Sequence, residues 1–158
     1  MHEITENTTL EMKNVLSYRS KSTRRQLQMA SQEIEAILKD KGVKRTGPSV
    51  STTFDIDTSG DEPIFDMELL IPVDRIIYID SPYRMKPVFR LVNAVKIRHE
   101  GKPELLQQTA NELMDYIRKQ RLTPVTSGYN VTIKQPSSPM DMDDLVVDLY
   151  IGVDGNIL

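Results

Sequence analysis

Two carboxylates, Glu68 and Asp148, are the residues of this chain whose type and spacing could do chemistry. Each lies midway along an apolar stretch, IFDMELLIPV (64–73) and DLVVDLYIGV (144–153), and the second stretch echoes the first 80 residues later. If both stretches are strands, successive side chains point to opposite faces, and an even offset keeps the faces in step. One face then carries Phe65, Met67, Leu69 and Ile71, matched by Leu145, Val147, Leu149 and Ile151. The other carries Glu68 and Leu70, matched by Asp148 and Tyr150. A carboxylate in apolar and aromatic surroundings attracts a lipophilic cation, and aromatic faces add cation–π attraction of about 0.5–2 kcal/mol. The same group could position a water as general base. The plainer alternative is an acid on the wet face of an antiparallel sheet.

The echo implies a duplicated module, and the elements around each acid agree. Thr8 to Tyr18 alternates as a half-buried strand, with Leu10, Met12, Leu16 and Tyr18 on one side. Ser22 or Thr23 can cap a helix whose apolar stripe is Leu27, Ala30, Ile34 and Ile37 or Leu38, and Gly42 stops it. Strand 50–56 and the organising strand 64–73 follow. The joint, 74–87, contains Ile76, Ile77, Tyr78 and Ile79 and is too apolar for a plain linker. Phe89 to His99 is the second long strand. Pro103 opens the second helix, whose stripe is Leu106, Ala110, Leu113 and Ile117. A short strand to Ile133, a loop (QPSSPMDMDD) and the second copy of the organising strand close the chain. Each half reads strand, helix, strand, strand, in one domain of two modules (8–73 and 88–153).

Composition narrows the function classes. The chain has 158 residues, 39% hydrophobic and 27% charged, as expected of one globular domain. A net charge of −3 argues against a nucleic-acid binder. The basic pairs Arg24-Arg25 and Lys119/Arg121 read as solvated helix ends without aromatic interleaving. There are no cysteines and two histidines, so neither a disulfide scaffold nor a transition-metal site is expected. His99 lacks a base–nucleophile partner in sequence and suits a turn-stabilising role better than catalysis; no catalytic residue and no cofactor are expected. The N-terminus has no apolar h-region and no run is long enough to span a membrane, so a cytoplasmic protein is expected.

Four segments in order, VLSYRSK (15–21), FDMELLIPV (65–73), AVKIRHEGKPELLQQTANELMDYIRKQRL (94–122) and DLYIGV (148–153), resemble the GyrI-like family. That family comprises gyrase-inhibitor and effector-binding domains related to the ligand-binding half of multidrug-responsive transcription activators. Three features depart from its pattern. Asp148 stands where the family usually has Glu and Gly152 where it usually has Pro, and Ser127-Gly128-Tyr129 lacks the proline kept at Gly47-Pro48. No helix-turn-helix region is seen, so the expectation is a stand-alone member. The resemblance implies an α+β fold in which the duplicated strand-helix-strand-strand modules are related by a pseudo-two-fold axis. Both long helices would lie on one face of a bent antiparallel sheet, and a small amphipathic ligand, often cationic and aromatic, would lie in a cleft between modules. Glu68, Leu70, Asp148 and Tyr150 would then face that cleft, with Tyr18, Phe54, Tyr116 and Tyr129 placed to line it, although core filling competes for each aromatic.

Three functions stay open. The first is a small-molecule-binding protein. The second is a protein-interaction or inhibitor module with a protein partner, using the apolar joint and the methionines. The third is a small-molecule hydrolase on the same fold. Ligand identity and oligomeric state are not legible.

Overall fold

The computed structural model describes residues 2–136 and 138–154. Met1 of the polar terminus, Ser137 of the expected loop and residues 155–158 lie outside the described residues. The elements are β1 (Ile4–Ser22), α1 (Arg24–Asp40), β2 (Val50–Asp57), β3 (Ile64–Pro72), β4 (Tyr83–Glu100), α2 (Leu106–Lys119), β5 (Thr123–Lys134) and β6 (Val146–Asp154). Short 3-10 turns precede α2 (Pro103–Leu105) and β6 (Pro139–Asp144). This is an α+β chain. Two compact units emerge, unit 1 from residues 1–11 and 90–158 and unit 2 from residues 12–89.

Each helix follows from its sequence. Thr23 caps α1 through a reciprocal capping box with Gln26, meeting backbone donors that would otherwise be orphaned. Ala30, Ile34 and Leu38 form its buried stripe, and Gly42 (φ 65°) lets the chain leave in the left-handed region. In α2 the corresponding stripe is Thr109, Leu113 and Ile117. Burying each large aliphatic side chain contributes about 1.5–3 kcal/mol, so the stripes fix which way the helices face.

Pairing follows the same order in both units. In unit 2, β3 lies between β1 and β2, antiparallel to both. In unit 1, β6 lies between β4 and β5, again antiparallel to both. The α1 core holds Leu16, Ile34, Leu38, Ile71 and Val73, and the α2 core Val95, Ile97, Leu113, Leu149 and Ile151. Each helix therefore covers the odd-numbered face of its central strand, as the alternation predicts.

Three expectations are corrected. The expected bent antiparallel sheet has a closed strand order, β1-β3-β2-β5-β6-β4. The reason shows on the face that Glu68 and Asp148 share with their cross-strand partners, where Val50, Thr52 and Leu70 in unit 2 and Val131 in unit 1 are buried rather than wet. Strands of a closed sheet alternate interior and exterior residues. Second, β1 and β4 run for 19 and 18 residues, so Tyr83–Pro87 of the expected joint is strand. Third, β6 begins at Val146, so Asp144 and Leu145 precede it. The rest of the joint alternates. Ile77 and Ile79 pack on the α1 core, while Ile76 and Tyr78 are exposed. Among the described residues no helix is long and apolar enough to cross a membrane, and no group of three or more His, Cys, Asp or Glu could hold a metal ion.

Candidate functional site

Glu68 and Asp148 take matching places in their strands. Each stands on the face away from its helix, opposite an arginine of the neighbouring strand: Arg19 across from Glu68, Arg98 across from Asp148. Both acids are buried, at 7% and 3% exposure. Burying a carboxylate costs several kcal/mol unless it is paired, and both are. Glu68 Oε2 accepts from Ser17 Oγ and from Lys86 Nζ, each at 2.5 Å. Asp148 accepts both arms of the Arg98 guanidinium, at 2.7 and 2.9 Å, with Lys96 Nζ 3.8 Å away. Each charge is thus met within its own unit.

The expected aromatic lining separates by face. Tyr150 follows Asp148 on the same side of β6, pairs with Tyr129 of β5, and has Lys96 5.8 Å from its ring centre. Burial, then the charge of Asp148, pushes its phenol above the usual range. Leu70 is fully buried beside Glu68. Tyr18 is on the helix side, stacked at a tilt on Tyr83 with ring centres 5.3 Å apart. Phe54 lies near a register shift in β2, under the Arg19 guanidinium at 4.2 Å. Tyr116 is on α2, its hydroxyl donating to Glu6 at 2.6 Å. His99 has the turn role expected of it: its Nε2 donates to the Lys102 carbonyl at 2.9 Å, leaving Nδ1 to accept from Thr109 Oγ1 at 2.7 Å.

Sequence reasoning missed a groove in unit 1. It runs along α2 beside the start of β1 and has a volume of about 670 Å³, within the range of small-molecule sites. Ile4 and Tyr116 supply its apolar wall, Glu112 and Asp115 its acids, Lys119 a cation, and His2 closes one side. The His2 backbone N–H donates to Glu112 Oε1 at 3.2 Å and its Nδ1 lies 2.6 Å from Oε2. Those bonds hold the Glu112 carboxyl below its usual range. A stable carboxylate accepts hydrogen bonds and donates none.

A smaller groove of about 260 Å³ flanks α1 in unit 2. Its lining includes Glu33, Ile37, Lys41, Tyr78 and Tyr83. The helix positions correspond. Glu33 and Glu112 each precede a fully buried residue, Ile34 and Leu113, and Ile37 and Tyr116 each precede the next one, Leu38 and Ile117. That recurrence was readable in the sequence.

No protein-family model and no curated protein matches the sequence. Solved structures do match. The C-terminal domain of EcmrR superposes with a TM-score of 0.73 at 14% identity, covering 98% of both chains. EcmrR in its DNA complex gives the same TM-score at 15% identity, and there this chain spans only 57% of the EcmrR chain. An uncharacterized conserved protein from Listeria innocua matches at 0.70 with 14% identity over 97% of this chain and 92% of its own. A hydrolase from Listeria innocua matches at 0.65 with 15% identity, over 97% and 91%. At such identities the likeness is one of fold alone, and the chain shares the fold of these structures.

Proposed function

We propose that this protein binds a small amphipathic molecule and that the ligand lies in the unit 1 groove beside α2. The observation that carries this reading is the groove itself: about 670 Å³, an apolar wall of Ile4 and Tyr116, and convergent polar groups from Glu112 and Asp115. The hydroxyl bond from Tyr116 to Glu6 holds the aromatic wall in place before any ligand arrives. In this reading Tyr116 is the residue of the sequence-derived set that meets the ligand. Glu68 and Asp148 are framework, since each is already met by a cation of another strand. The likeness of fold to an effector-type domain is compatible with such a role and does not establish it.

The two units are, on the same reading, copies of one module. Matching pairing order supports this, as do Asn14 and Asn93, which take positive φ (53° and 51°) at corresponding points of β1 and β4. A protein-partner reading has one observation in its favour, the outward Ile76 and Tyr78 of the joint.

The test is calorimetry with a panel of amphipathic cations and neutral aromatic compounds, followed by amide shift mapping. Binding with shifts concentrated on 2–6 and 108–119 is expected. Saturable binding that leaves those residues unperturbed would overturn the site, and no binding by any member would overturn the function.

A further inference from the structure

The two grooves differ in what stands against the helix. In unit 2 Tyr83 belongs to the α1 core and lines the groove together with Glu33. In unit 1 the corresponding strand position holds Ile4. Ile4 lies ten residues before Asn14, as Tyr83 lies ten before Asn93, and it packs on the α2 core as Tyr83 does on the α1 core. A branched aliphatic residue replaces a phenol, the acid that would receive the hydroxyl is kept as Glu112, and the cavity is about 670 Å³ rather than about 260 Å³.

We infer that the groove beside α2 selects a phenol: a small aromatic molecule whose ring lies on Ile4 and Tyr116 and whose hydroxyl donates to Glu112. This rests on the small-molecule reading above and names the ligand class for that site. Unit 2 carries its own phenol, Tyr83, in the matching place; unit 1 takes one from solution. The chemistry of the acceptor makes the hydroxyl decisive. A carboxylate offers about four lone-pair sites. Glu112 can therefore receive a phenol O–H while the His2 backbone N–H stays bound at Oε1 (3.2 Å) and the His2 ring at Oε2 (2.6 Å). An aryl ether brings no donor and leaves the carboxylate facing an apolar group. Tyr116 stands where unit 2 has Ile37, so the wall offers an aromatic face for offset or edge contact with the bound ring.

The experiment uses 4-ethylphenol and its methyl ether, 4-ethylanisole, by calorimetry and methyl shift mapping. The phenol is expected to bind at one per chain and to shift the Ile4 methyl signals, with the ether about tenfold weaker, the worth of a hydrogen bond to a charged acceptor. Glu112→Gln should weaken the phenol by about that factor and leave the ether unchanged. Ile4→Tyr supplies the ring from within and should abolish binding while circular dichroism stays native. Should that variant fail to fold, Tyr83→Ala reads the same idea from the other unit, where 4-ethylphenol should bind as a second equivalent. Equal affinity for phenol and ether, or binding insensitive to both Glu112→Gln and Ile4→Tyr, overturns the inference. If other members of the wider panel still bind the groove, the small-molecule reading survives that result; if nothing binds, both fall together.

Discussion

Arg98 grips Asp148 through both carboxylate oxygens, Nε to Oδ1 at 2.7 Å and Nη2 to Oδ2 at 2.9 Å, from the position directly across the β4–β6 pair. The acid is buried but the arginine side chain is 46% exposed, so part of the attraction is screened. Removing Arg98 leaves a buried carboxylate with only Lys96 at 3.8 Å. Arg98→Ala is expected to destabilise by about 1–3 kcal/mol, the range for a lost bond to a charged group. Arg19→Ala, whose bonds to Asp66 are long (3.4 Å) and exposed, should stay within roughly 0.5 kcal/mol. Denaturant midpoints of the two variants decide it; equal losses would mean that the Asp148 pair carries no special weight.

The helix stripes give a sharper number. Leu113 is fully buried in the α2 core beside Ile97, Leu149 and Ile151. Leu113→Ala should cost about 2–5 kcal/mol through lost transfer energy and the cavity left behind. Exposed Lys39→Ala should fall within roughly ±0.5 kcal/mol. Chemical denaturation with both variants checks the assignment of the helical face.

Gly152 stands where the GyrI-like pattern that the sequence resembles usually has proline. Its backbone N–H donates to Thr126 Oγ1 at 2.9 Å, a bond that proline cannot make. A Cβ built at Gly152 meets Thr126 Cγ2 at 2.9 Å and Leu91 Cδ1 at 3.0 Å. Gly152→Ala is therefore expected to destabilise by about 1–3 kcal/mol, the cost of overpacking. Adding Thr126→Ser removes the methyl and keeps the hydroxyl, so the double variant should recover part of the loss. A melting temperature for Gly152→Ala equal to wild type would show that Leu91 and Thr126 yield freely.

What was legible in the chain depended on whether one residue's neighbours announced its role. The faces of β3 and β6 were readable because eight apolar residues recur at alternate positions around Glu68 and Asp148, and α1 because Ser22 or Thr23 can cap a helix whose apolar stripe begins at Leu27. The start of β1 was hidden: Glu3, Glu6 and Asn7 read as a frayed terminus, and Asn7 takes positive φ (55°). Tyr83–Pro87 was hidden by Pro82 just before it and Pro87 at its end, since proline argues against strand. The pairing of Lys86 with Glu68 follows from that strand, so it could not be foreseen while the strand was missed. The groove beside α2 escaped because Ile4 and Tyr116 are each unremarkable alone. Only the comparison of Glu33 with Glu112, one residue before Ile34 and Leu113, points to it.

Tyr83 offers a pH-dependent test of the unit 2 groove. Burial first, and then its bond to Glu33, pushes the phenol up to about 12 from an ordinary value of 10.0. A phenol is neutral below its pKa, so a raised folded value means that the fold favours the protonated form. The stabilisation is fully present below pH ~10, where the unfolded phenol is also neutral. It is lost as pH rises from there through about 12. Absorbance at the phenolate band should show late-titrating tyrosines, Tyr150 among them, and Tyr83→Phe should remove one such component. The variant has no phenol to titrate at this position, so wild-type stability should fall relative to it as pH climbs past ~10. A titration in which Tyr83→Phe removes no late component would assign the shift to another residue, and with it weaken the correspondence between the two grooves.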